Sequence, residues 1–218
     1  MSVRFERVAA LSGFATVILW VVGVVLAVGL SHQPPSDATD AQVLAWINAH
    51  SGIVTGGGWL YMIGCACFAW FAGGLRSRLA AGEGSPAPAT TVGYVAAVAT
   101  AVIGMGFAAP DVTAAIGAGD ITAGAAGALH QMSTVFFLIA ELAACAMLVG
   151  FGVAALGTRA LPRWWAIVSL LLAVLLVVGP VGWLGVIFGM PLWTLLSSAV
   201  LLRDGARELV AAPASSPA

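Results

Sequence analysis

Leu129–Leu156, LHQMSTVFFLIAELAACAMLVGFGVAAL, is an apolar run carrying a single deep ionisable residue, Glu141, near its middle. An α-helix rises about 1.5 Å per residue, so about 20 apolar residues cross the roughly 30 Å hydrocarbon layer of a bilayer. The run is longer than that and predicts a membrane span, taken as residues 130–156. The rest of the chain is built the same way. Of its residues 61% are hydrophobic and 8% charged, against about 25% charged in an ordinary soluble domain. The fold class that follows is all-α: a polytopic membrane protein whose first partner is the lipid bilayer.

Working outward from the opening run, five further apolar stretches appear. Val8 to Leu30 follows Arg4 and Arg7 and is read as the first span, 8–30. A cleaved signal peptide is the competing reading, with Ala27 and Gly29 at the small positions, but the apolar core exceeds the usual signal length. Residues 53–71 form the second span, closed by Arg76 and Arg78, and 91–109 the third, ended by Pro110. After Pro110 the sequence PDVTAAIGAGDITAGAAGA suggests a Gly- and Ala-rich loop bearing Asp111 and Asp120. The apolar stretch from Trp164 to Leu202 is long enough for two crossings, 164–178 and 181–202, with the break expected at Gly179-Pro180. Together they form one six-span domain over residues 1–210, and residues 211–218 are expected to be a disordered tail.

Residues 31–50 are expected to form an outer loop with a short amphipathic helix, N-capped by Ser36 or Asp37. Within it Val43, Leu44, Trp46 and Ile47 share one arc at 100° per residue. The helix would lie on the membrane surface or cap the bundle, the alternative being a plain tether.

Six crossings put all eight basic residues, Arg4, Arg7, Arg76, Arg78, Arg159, Arg163, Arg203 and Arg207, on one side. Asp37, Asp40, Asp111 and Asp120 fall on the other. By the positive-inside rule both termini are cytoplasmic. The formal net charge of −1 and the lack of a basic cluster exclude a nucleic-acid partner. Cys65, Cys67 and Cys145 lie within apolar runs and no disulfide is expected. Cys65 and Cys67 point about 200° apart on a helix and suit packing rather than ligation.

The stretch LPRWWAIVSLLLAVLLVVGP, Leu161 to Pro180, followed by Pro191-Leu192-Trp193, resembles a group of uncharacterised small multipass membrane proteins of high-GC actinobacteria. The acidic outer segment ending at His50 and the turn Leu75 to Leu79, LRSRL, are similar too. The resemblance implies a multipass protein of a bacterial plasma membrane and supplies no functional residues.

The candidate chemistry is sparse. Glu141 shares a stripe with Thr134 and His130 at helical spacing, and Tyr61 is a buried hydroxyl within the second span. An acid without a counter-ion at this depth is favoured in its neutral form. It serves either as a protonatable site on a path opening outward through Thr134 and His130, or as a carboxyl bonded to Tyr61, Thr100, Ser198 or a backbone carbonyl. His32, His50 and His130 fall near the outer face, with Asp111 and Asp120 available there, and are the candidates for a metal or haem site, although none share one helix at i, i+3 or i, i+4 spacing. Nucleotide-binding, hydrolase-elbow and zincin motifs are absent, so no cofactor is expected and an enzyme is disfavoured. Three functions remain open: an accessory or small-solute-handling membrane protein centred on Glu141; a structural subunit meeting a membrane-protein partner or its own copy; and a metal or haem enzyme using the outer histidines.

Overall fold

The computed structural model describes residues 3–35, 37–158, 160–178 and 181–211, with side chains from Phe5 to Arg203. All regular structure among them is helical. Helix α1 is Val3–Val24, extended by a π-helical turn, Val25–Leu30. Then come α2 (Asp40–Glu83), α3 (Pro88–Ile116), α4 (Ala123–Gly157) and α5 (Arg163–Val177). The last helix, α6, is Gly182–Leu184, a π-helical turn Gly185–Gly189, and Met190–Ala211. Five of the six are long and apolar enough to cross a membrane, and α5, with 15 residues, is shorter.

The helix boundaries follow local chemistry. Thr39, not Ser36 or Asp37, caps α2: its side chain accepts from the Gln42 amide at 3.4 Å while Gln42 Oε1 accepts from the Thr39 amide at 2.8 Å. That reciprocal box satisfies two amides that a helix start leaves open. Helix α3 begins at Pro88, and the Glu83 carboxylate accepts from the amides of Ala89 (3.0 Å) and Thr90 (2.9 Å) and from the Thr90 hydroxyl (2.6 Å). Glu83 is the last residue of α2, at its loop end. The Thr90 hydroxyl bond, aided by the two amides, holds its carboxyl below the usual range against some desolvation. Thr122 caps α4 by accepting from the Ala125 amide.

Two expectations are corrected. Pro110 does not end α3, which continues to Ile116. Proline removes one helical hydrogen bond and crowds the carbonyl four residues back; here that residue is Gly106, and the Thr113 hydroxyl donates to the Ala109 carbonyl at 2.8 Å as the helix runs on. With α4 starting at Ala123, the expected Gly- and Ala-rich loop shrinks to residues 117–122. The expected short helix over Asp40–His50 is present as the first part of α2, set off from residues 51–83 by non-helical backbone at His50 (φ −127°, ψ 15°), and its apolar arc packs against α3 and α4. The expected break at Gly179-Pro180, Ser36, Arg159 and all but the first residue of the 211–218 tail lie outside the described residues.

Neighbouring helices pack antiparallel, with the described Arg7, Arg76, Arg78, Arg163 and Arg203 near one end. Two glycine contacts let backbones touch. A Cβ on Gly57 would lie 2.7 Å from the Gly23 carbonyl oxygen and the Ala27 amide, which seats α1 on α2. A Cβ on Gly150 would lie 2.5 Å from the Gly93 amide, which seats α3 on α4. The main core holds Phe68, Phe71, Leu75, Met147, Phe151, Trp165 and Trp193. A second core at the opposite end joins Val43, Trp46, Ile47 and Val54 of α2 to Ala114 and Ala115 of α3 and Ala126 of α4. This second core thus joins the starts of α2 and α4 to the end of α3 in a three-helix head.

Near the arginine end, α5 and α6 interlock through a repeated Trp-x-x-x-Ser pattern. The Trp165 indole donates to Ser197 Oγ at 2.8 Å, and Ser197 donates to the Trp193 carbonyl at 2.7 Å. In return the Trp193 indole donates to Ser169 Oγ at 2.8 Å, and Ser169 donates to the Trp165 carbonyl at 2.9 Å.

Candidate functional site

The continuation of α3 past Pro110 and the early start of α4 bring two ionisable side chains face to face in the head. Asp111 Oδ1 and His130 Nδ1 are 3.2 Å apart, and both residues are buried, at 8% and 4% exposure. The other carboxylate oxygen, Oδ2, accepts from Gln33 Nε2 at 3.3 Å. A carboxylate can only accept, so the bond assigns the proton to Nδ1 and leaves Nε2 as the ring's second polar atom. The arrangement resembles the carboxylate–imidazole pairs that fix a ring's orientation in metal and acid–base sites.

The neighbours are set by the backbone. After the π-helical turn, the Gln33 amide donates to the Val28 carbonyl at 3.1 Å, and His32 adopts φ +51°, a left-handed conformation that turns the chain toward α3. The Trp46 indole donates to the Ser31 carbonyl at 2.9 Å, while its ring meets His130 edge-on with centroids 5.8 Å apart. Beside this cluster lies a cavity of about 30 Å³ bordered by Gln33, Trp46, Tyr61, Phe107, Asp111 and aliphatic residues of α1 and α2. One turn along α4 from His130, Ser133 is 1% exposed and its hydroxyl has no hydrogen-bond partner among the described residues.

No protein-family model, curated protein or solved structure matches this chain. The site must therefore be judged on its own geometry.

The residues singled out from the sequence do not form one cluster. Glu141 is half-buried where α4 meets the start of α6: a Cβ on Gly182 would lie 3.2 Å from its Oε1. It accepts no hydrogen bond from a described residue. The partners considered for it are engaged elsewhere, with Thr100 donating to the Ala96 carbonyl and Ser198 to the Thr194 carbonyl. Tyr61 lies in the main core against Trp20 and Phe107, and Phe107 in turn packs on Phe137. Thr134 is half-buried. His130 and Glu141 share a helical stripe yet meet different neighbours, because α4 faces α3 near its start and the α5–α6 turn near its middle.

The outer histidines are not gathered. His32 is exposed, and His50 Nδ1 donates to the Trp46 carbonyl at 3.1 Å. Among the described residues no group of three or more His, Cys, Asp or Glu side chains could hold a metal ion. The reading of His32, His50 and His130 as a joint ligand set loses its geometric basis.

The sequence places Asp111 at the outer face with the histidines, and what it does not show is the direct bond to His130, because Pro110 suggests that Asp111 lies in a loop. A signal was present: Asp111 and His130 stand equally far on either side of the Asp120–Ile121 bond, and antiparallel helices joined by a short turn pair residues equidistant from it.

Proposed function

We propose that this chain is a six-crossing integral membrane protein of the bacterial plasma membrane, with both termini cytoplasmic, that handles a small solute at its outer end without catalysis. The observation that carries the reading is the buried Asp111–His130 pair bonded to Gln33 beside a cavity. Burying two ionisable groups is costly unless they are paired, and replacing such a pair by apolar residues is often neutral or stabilising. A pair retained beside an open space is therefore better explained by binding than by stability. The orientation is supported by the arginines, Arg7, Arg76, Arg78, Arg163 and Arg203, which crowd the end opposite this site. Glu141 takes a secondary place as a protonatable group beside the α5–α6 turn.

Single-cysteine labelling of intact cells with a membrane-impermeant maleimide tests this. Asp120→Cys and Gln33→Cys are expected to react, and Ser77→Cys only after permeabilisation. The reverse pattern overturns the topology; reaction at Asp120→Cys but not at Gln33→Cys removes the outward-open site.

A second reading, a structural subunit that meets a membrane partner or its own copy, is favoured by Gly52 and Gly56. A Cβ at either would meet nothing within 4 Å, and Trp59 and Ile63 are exposed on the same face. Small residues at such spacing let a second helix approach closely.

A further inference from the structure

We propose that the recess bordered by α1, α2 and α3 seats one acyl chain of a bilayer phospholipid, which enters sideways through the gap that the short α5–α6 hairpin leaves between α1 and α4. The proposal rests on the reading of this end as a binding site and names the class of ligand.

The gap follows from helix length. Toward the arginine end the hairpin fills the space between α1 and α4: Gly13 of α1 abuts Ser198 of α6, and Gly152 of α4 abuts Leu170 of α5. Helix α5 has 15 residues, about 22 Å at 1.5 Å per residue, and the hairpin turns back beside Glu141, where Gly182 meets α4. Beyond that level α4 runs on to its start at Ala123 and α1 to Leu30. There the π-helical turn of α1 packs on α2, and α4 leans on α2 and α3. Among the described residues no helix takes the place of the hairpin between them.

The recess lies at this level. Val24 and Val28 of α1, Gly58 and Tyr61 of α2, and Phe107 and Ala108 of α3 stand on its border. Val24, Val28 and Phe107 are half-buried, so one side is open. Phe107 packs on Phe137, which carries the apolar floor across to α4. Next along the chain from these walls, Val25 and Leu138 are 49% and 54% exposed, part of the apolar outer surface. Counted from Arg76 on α2 and Arg7 on α1, Tyr61 and Val24 stand about 22 and 26 Å along their helices, within a hydrocarbon layer of about 30 Å.

The chemistry of the border selects an apolar guest. Asp111 accepts from His130 with one oxygen and from Gln33 with the other, and the Trp46 indole is spent on the Ser31 carbonyl. The polar groups at the outer end are thus engaged, and the remaining border is almost wholly apolar. A bound water needs about two to four polar partners, whereas an apolar space stays dry and takes apolar ligands. A volume of about 30 Å³, against the 10 to 15 Å³ or so that one water requires, admits two or three carbons. The recess therefore holds a short stretch of one chain, and the rest of that chain lies in the gap. A helix from a second copy, about 10 Å across, is too wide to reach into it.

The test places the full-length protein in phosphatidylcholine nanodiscs doped with a phosphatidylcholine that carries a diazirine on one chain. After irradiation the label is mapped by peptide mass spectrometry, and native mass spectrometry counts the lipid retained in mild detergent. The expected result is label at Val24, Val28, Phe107 and Ala108 as well as at exposed residues such as Leu142, with one phospholipid retained per chain. Val28→Trp, which fills the recess, is expected to lose the retained lipid and the label at Phe107. Val25→Trp, on the exposed side of the same turn, is expected to keep both. If Val28→Trp fails to fold, the label map of the wild-type protein decides. Label confined to exposed residues, no retained lipid, or retention unchanged by Val28→Trp overturns the proposal. Reaction of Ala108→Cys with an aqueous maleimide overturns it by showing water in the recess, and a peptide–peptide cross-link there at doubled mass does so by showing a second copy. If the lipid is absent while Gln33→Cys still reacts from outside, only the ligand class falls; if Gln33→Cys is unreactive as well, the outward-open site falls with it.

Discussion

Two polar networks are buried in this molecule, and they are built on opposite plans. In the α5–α6 clasp each tryptophan indole donates to a serine on the other helix and each serine donates to a carbonyl of its own. All four residues are essentially inaccessible. Nothing in it can change charge, and both indole N–H groups and both serine hydroxyls are spent. The Asp111–His130–Gln33 network has two members that can change charge, bonds at 3.2 and 3.3 Å, and a cavity on one flank. A fully satisfied neutral network fixes a packing, and a loosely bonded ionisable one leaves capacity for a ligand or a proton. The comparison assigns holding to one end of the bundle and exchange to the other.

The largest effect that bears on this contrast is expected at the clasp. Trp193→Ala removes the ring that packs on Trp165 and Phe71 together with one indole donor, and is expected to cost about 3 to 5 kcal/mol, read as a lowered thermal midpoint in detergent. A loss below about 1 kcal/mol would mean that the clasp does not hold the hairpin. At the other end, Asp111→Ala, His130→Ala and the double variant form a thermodynamic cycle. Each single change is expected to destabilise by about 3 kcal/mol by leaving its partner buried alone, and the double variant to recover about 1 kcal/mol or more of the sum. Strict additivity would show that the two groups do not act as a pair. The smallest effect belongs to Ser133→Ala. Its hydroxyl is buried and bonds to no described residue, so its removal is expected to change stability by less than about 0.5 kcal/mol or to raise it. A clear loss would reveal a partner and make the outer network more closed than the comparison holds.

Much of the fold was legible because hydrophobic length is a strong signal: six apolar runs became six helices, and the arc Val43, Trp46, Ile47 became a buried face. What escaped the sequence was how far the helices continue. Pro110 and the glycines after it argue locally for a loop, whereas packing of Val112, Ala114 and Ala115 in the head keeps the segment helical, a tertiary effect that local propensity does not carry. The direct bond of the site was hidden for the same reason, since Asp111 meets His130 from within the continued α3. Glu141 attracted notice by its charge in an apolar run, but its surroundings depend on where the α5–α6 turn falls. The clasp was present in the text as Trp165-x-x-x-Ser169 and Trp193-x-x-x-Ser197; spacing shows each half, and only the antiparallel register of α5 and α6 joins them.

Helix α2 has a mechanical consequence. Its Val43, Trp46 and Ile47 are rooted in the head and its Phe68, Phe71 and Leu75 in the main core, with Arg76 and Arg78 just beyond. The non-helical backbone at His50 lies at the head, so α2 turns at a joint there before it runs through the main core to the arginines.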